Sequence, residues 1–124
     1  MITEFVEAVQ NQDKRNIFKP FLGDVTSIPK EFHEFYKNSD PVDVVIKLDD
    51  LSQINFYSMN FLPAIQCEYT LPESAFCFAT QNGDPVYYLD GKIYTELADG
   101  GSKPELLAYS FDAYLKIILR HLRH

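Results

Sequence analysis

Six carboxylates, Asp49, Asp50, Glu68, Glu73, Asp84 and Asp90, fall between Leu48 and Gly91, a stretch that holds no lysine or arginine. Grouped carboxylates can hold a metal or act as acid and base. Glycoside hydrolysis, for example, needs two of them a few ångströms apart across a cleft. Asp49-Asp50 and Asp84 with Asp90 are the only groupings here that suit such work. Adjacency alone does not supply the geometry, because neighbours along a strand point to opposite faces. Asp84 stands before Pro85 and Asp90 before Gly91, which are ordinary turn positions. Structural or solvating roles therefore suit them better than catalysis. As a set, the six read either as chance plus burial or as an acidic docking face for a basic protein, where complementary charge raises association rates and enforces partner choice.

Other reactive residue types are sparse. Histidine is the usual general base and metal ligand, and this chain has His33, His121 and His124. None makes a His-x-x-x-His or His-x-Glu spacing. His33 falls on the polar side of a helix, and the other two sit at the carboxyl end, so solvated surface is the expectation. Gly100-Gly101 lacks the Lys-Ser/Thr that a phosphate-binding loop needs and reads as a mobile loop. Ser110 has no Gly-x-Ser-x-Gly elbow around it and reads as a helix cap. Cys67 and Cys77 have no Cys-x-x-Cys spacing, so both read as reduced structural thiols. Tyr87, Tyr88 and Tyr94 could stack on bases, but without basic flanks sheet packing is the better account. No catalytic, metal-ligating or cofactor-binding residue is assigned, and the chain is read as a non-enzyme.

The balance of charge bounds the partners. Eighteen acidic residues against eleven basic ones leave a net charge of -7. That disfavours nucleic acid and anionic membranes, since phosphate contacts need Lys and Arg. No apolar run approaches the roughly 20 residues of a membrane-spanning helix. Met1-Ile-Thr-Glu-Phe-Val-Glu lacks the basic region and apolar core of a signal peptide. The expectation is a cytoplasmic protein. At 124 residues, 46% of them hydrophobic and 15% aromatic, the whole chain 1–124 is expected to be one domain with a real core.

These residues must be positioned by a small set of elements. Ile2, Phe5, Val6 and Val9 recur at helical spacing and predict an amphipathic helix ending near Asn11-Gln12-Asp13. Lys14 to Asp24 reads as a connection. A second helix is expected with Ser27 as cap, Pro29 in its first turn and Ile28, Phe32, Phe35 and Tyr36 inward. It should stop at Asp40, before Pro41. Val44 to Leu48 is β-rich. Asp50-Leu51-Ser52-Gln53 reads as the opening of a short helix, and Phe56 to Met59 as strand or irregular chain. Ala75 to Thr80 suits a central strand buried on both faces. Val86 to Leu89 and Lys92 to Leu97 flank Asp90-Gly91, a two-residue hairpin signal that pairs Tyr87 with Tyr94 and Tyr88 with Ile93. Asp99-Gly100-Gly101-Ser102 reads as a loop. Ser110 should cap a last helix whose Phe111, Tyr114, Leu115, Ile118 and Leu122 face the core. The expected fold class is α+β: a mostly antiparallel twisted sheet centred on residues 75–97, packed by two amino-terminal helices and a carboxy-terminal helix.

Several of these segments, in this order, resemble the SUKH superfamily, which includes bacterial immunity proteins and fungal regulators of cell-wall synthesis. Ile28-Pro29-Lys30-Glu31-Phe32-His33-Glu34-Phe35-Tyr36-Lys37 resembles its Ile/Leu-Pro-x-x-aromatic-x-x-aromatic helix start. Asp40-Pro41-Val42-Asp43-Val44 resembles its Pro-x-Asp-Val segment. Gln66-x-x-Tyr69, Asn82-Gly83-Asp84-Pro85 and Ala108-x-Ser110-Phe111 resemble its pre-strand element, its Gly-Asp-Pro turn and its final helix start. The resemblance spans residues 26–119. Members usually carry tryptophans near the central strands, and this chain has none. The resemblance implies a SUKH-like fold and an immunity protein that binds and blocks a cognate toxin domain, expected to be basic, by stoichiometric contact without cofactor. An intracellular regulatory protein-interaction module of the same fold is the alternative, and a small hydrolase using the acidic stretch is a remote one. Asp49, Asp50, Glu68, Glu73, Asp84 and Asp90 are the expected partner-binding residues.

Overall fold

In the computed structural model, residues 1–98 and 103–124 are described. The expected loop Asp99 to Ser102, with Gly100-Gly101, lies outside them. Among the described residues the fold is α+β, with a seven-stranded antiparallel sheet and four α-helices. Chain order is α1 (Ile2–Gln12), β1 (Ile17–Lys19), α2 (His33–Ser39), β2 (Asp40–Lys47), β3 (Gln53–Phe56), α3 (Leu62–Gln66), β4 (Phe76–Gln81), β5 (Asp84–Leu89), β6 (Lys92–Thr95), β7 (Glu105–Ala108) and α4 (Phe111–Arg120).

Spatial order of the strands equals chain order, β1 to β7, so each strand pairs with its chain neighbour. Two tight turns make this possible. Asn82-Gly83 joins β4 to β5, and Asp90-Gly91 joins β5 to β6. All four residues have positive φ, at 51° and 87° in the first turn and 51° and 86° in the second. That is the type I′ geometry whose twist matches the flanking strands. The second turn sets the expected register, with Tyr87 opposite Tyr94 and Tyr88 opposite Ile93.

One sheet face carries α1, α2 and α4. Val44, Ile46, Ile54 and Phe56 alternate onto it along β2 and β3 and are buried. β4 is buried continuously from Phe76 to Thr80, as its unbroken apolar run requires. A register shift between Cys77 and Ala79 marks a bulge that lets Phe78 join the helix side. There the rings of Phe32 and Phe111 stack at 4.2 Å, and Phe78 lies 5.0 Å from Phe32 and 5.8 Å from Tyr114. α2 and α4 thus meet over β4 through aromatic edges and faces, each such pair adding about 0.5–1.5 kcal/mol beyond burial.

α4 begins as expected: the Ser110 hydroxyl accepts from Ala113 N at 3.0 Å. Phe111, Tyr114, Leu115, Ile118 and Leu122 are buried. α1 and α2 also lie where the apolar spacing put them, but α2 starts differently. Pro29 leads into a 3₁₀ turn over Lys30–Phe32, and no side chain caps it. Ser27 is exposed. Three elements went unread: β1, which is three residues long; α3; and β7. Each is too short to show a period. β2 begins at Asp40 rather than Val44, because Pro41 sits opposite Phe18 near the sheet edge. Asp50-Leu51-Ser52-Gln53 forms a turn and the start of β3, not a helix.

Candidate functional site

The β2–β3 turn is built by one carboxylate. Asp50 Oδ1 accepts from Ser52 N at 2.9 Å and from the Ser52 hydroxyl. Those two donors hold the Asp50 carboxyl below its usual range. Leu51 then takes φ of 74° and exposes 78% of its surface. A left-handed backbone costs an L-residue other than Gly or Asn roughly 1–2 kcal/mol. Asp49 is exposed, and its Oδ2 lies 3.4 Å from His121 Nδ1. The β2–β3 turn and the end of α4 are further tied by Asp49 N donating to His121 O at 2.8 Å.

The antiparallel meander decides which carboxylates share a surface. Turns alternate between the two ends of the sheet. The β2–β3 turn and the β4–β5 turn lie at one end, and Asn82 N donating to Gln53 O at 2.9 Å joins them. Asp84 opens β5 there, and its Oδ1 accepts from Ala98 N at 3.0 Å. Glu68 reaches the same end: it lines a cleft with Pro85, Glu96 and Ala98, and the adjacent Tyr69 hydroxyl donates to Gly83 O at 3.0 Å. Asp49, Asp50, Glu68 and Asp84 therefore cluster at one end. Asp90 occupies the β5–β6 turn at the other, a strand length of roughly 20 Å away. Glu73 is exposed in the connection between α3 and β4.

Glu96 belongs to the acidic end and was not singled out by the sequence. It sits beside Tyr87, and both its Oε1 and the Tyr87 hydroxyl are buried. Burial, then the Glu96 charge, pushes Tyr87 up to about 12. Tyr87 stacks on Tyr94 at 5.8 Å and Tyr88 packs edge-on against Phe32, so these rings serve the sheet.

The remaining reactive groups are accounted for locally. His33 is half-buried rather than solvated, with Nε2 2.8 Å from Ile28 O. Cys77 is buried and its thiol is pushed up to about 11 by burial, while Cys67 is exposed. Among the described residues, no three His, Cys, Asp or Glu side chains converge to hold a metal. No helix among them is long and apolar enough to cross a membrane.

Two clefts flank the β2–β3 turn. One, about 440 Å³, lies on the sheet face away from α4 and is lined by Leu51, Gln53, Asn55, Tyr57, Tyr69 and Thr80. The other, about 350 Å³, lies against α4 and is walled by Leu48, Ile54, Leu107 and Ile117, with Asp49, Asp50 and His121 also lining it. Its residues come from four elements, so no local spacing announces it. Comparison with protein-family models, with curated proteins and with solved structures gives no match.

Proposed function

We propose that this chain is a non-catalytic protein-binding domain that docks a basic protein at the acidic end of its sheet, and that the partner is a toxin domain it neutralises. One observation carries the reading. Asp49, Asp50, Glu68 and Asp84 lie at the same end of the sheet as Leu51, which is held exposed at a φ of 74°. Nothing in the fold needs leucine there, and glycine or asparagine would relieve the strain. Backbone strain of this kind concentrates at binding sites. An exposed apolar side chain at an end that carries like charges suits an interface anchor with a steering field around it. The ordered segments that resemble SUKH proteins support the toxin as the kind of partner.

The test starts from the genome. The immunity reading expects a reading frame directly upstream that encodes a large secreted protein with a variable carboxy-terminal domain. That domain, purified, should form a one-to-one complex with this protein and lose its toxicity. An upstream domain that neither binds nor is neutralised removes the immunity reading and favours the regulatory module.

A further inference from the structure

We propose that the open face of β2, β3 and β4 is the centre of the docking surface, and that a segment of the basic partner lies along it, held by its main-chain carbonyls and one apolar side chain. This rests on the protein-binding reading above and adds the place and the chemistry. Ile54 and Phe56 are buried toward the helices, so Gln53, Asn55 and Tyr57 point to the opposite face. Val45 and Thr80 stand opposite Asn55 in the flanking strands and share that face. Two clefts hollow it, of about 440 Å³ and 230 Å³, and Asn55 and Tyr57 line both, so the two form one trough. Leu51, 78% exposed, lines one end, and Phe61, 48% exposed, lines the other. From Gln53 to Tyr57 the floor runs roughly 13 Å, the length of about four extended residues.

Composition separates this face from an ordinary solvated one. The chain has eighteen acidic and eleven basic residues, yet among the described residues that line the trough Asp43 alone is charged. Interface centres are depleted in charge and enriched in aromatic rings, with polar and charged groups at their rim. The Tyr57 and Phe61 rings stack at 5.3 Å, and Tyr69 joins them in the lining. Two of these rings are already fixed. The Tyr57 hydroxyl lies 2.9 Å from Thr80 Oγ1, and the Tyr69 hydroxyl donates to Gly83 O at 3.0 Å. Little side-chain freedom is therefore lost on binding.

The amides choose main-chain carbonyls. Asn55 Oδ1 accepts from Gln53 Nε2 at 3.3 Å, and Asn82 Oδ1 accepts from Gln53 N at 3.0 Å. Both oxygens are thus engaged, and the two Nδ2 groups are left as donors facing the trough. The neighbouring carboxylates Asp49 and Asp50, in the turn that holds Leu51, place the charged rim at that end and select a basic partner.

The test uses the full chain and the purified upstream domain that the proposed function expects. Asn55→Leu removes one donor at similar size, and Phe61→Ser removes the apolar contact. Each should raise the dissociation rate about tenfold while changing the association rate less than about threefold, since centre contacts act on release and rim charges on encounter. Melting curves check that both variants fold. Leu106→Ser, an exposed apolar residue on the far edge strand β7, should bind as wild type does. A second arm needs no variant: in wild-type protein the side-chain amide NMR signals of Asn55 and Asn82 should shift when the complex forms. Unmoved amide signals, unchanged dissociation in both trough variants, or an equal loss with Leu106→Ser would overturn the assignment while the protein-binding reading stands. If no upstream domain binds the wild type, the immunity reading falls and the trough's assignment to that partner falls with it.

Discussion

Leu51 separates a structural from a functional explanation at a single residue. Its φ of 74° is costly for leucine and easy for glycine. Leu51→Gly should therefore leave the protein as stable or up to about 1 kcal/mol more stable, and should weaken partner binding. Chemical denaturation and a binding titration read the two effects. A loss of stability would mean that the leucine serves the fold. Asp40 tests the other kind of carboxylate. It is buried, its Oδ1 accepts from Met59 N at 2.8 Å, and burial raises its pKa. With the folded pKa above the unfolded one, its contribution to stability is full below about pH 4 and is lost as pH rises through the folded pKa. Asp40→Asn keeps the acceptor without the charge. The variant should gain stability relative to wild type as pH climbs above 4, measured by denaturation at several pH values. A difference that is flat with pH would contradict the assignment.

Elements with a period or a turn signature were legible in the sequence, and those without were not. α1, α2, α4 and the β5–β6 hairpin lie where apolar spacing, Ser110 and Asp90-Gly91 placed them. Gly91 has φ of 86°, so Gly91→Val should cost roughly 1–3 kcal/mol in a melting experiment, because a β-branched residue tolerates that backbone poorly. An unchanged midpoint would refute the turn assignment. The connection between β3 and β4 had no such signature, because side chains rather than pattern hold it. β3 pairs with β4 only as far as Phe56 opposite Ala79. Beyond it the Gln66 amide takes the place of a strand: Oε1 accepts from Cys77 N at 2.8 Å, and Nε2 donates to Cys77 O at 2.6 Å. Gln66→Ala should cost about 1–3 kcal/mol by leaving both groups unpaired. It should also raise the exchange rate of the Cys77 amide, and an unaltered exchange rate would show that the clamp is dispensable.

At the scale of the whole molecule, the sequence revealed the acidic stretch but not its shape. Asp90 looked like a member of the group, yet the alternation of turns sends it to the far end. Glu96 lies outside the lysine- and arginine-free stretch and folds back into the acidic end. Asp50 also has a turn to hold, so reversing its charge would disturb structure as well as the field; asparagine is the cleaner probe. Long-range steering depends on the summed field of this end and is screened within about 10 Å at 0.1 M salt. The most direct measurement is the association rate with the toxin domain that the proposed function expects to be encoded upstream, for wild type and for the Asp49→Asn/Asp50→Asn double variant, across a salt series. The rate for wild type should fall steeply with salt, and the double variant should associate more slowly and with a shallower salt dependence. Equal rates and equal salt slopes for the two proteins would contradict docking at the acidic end.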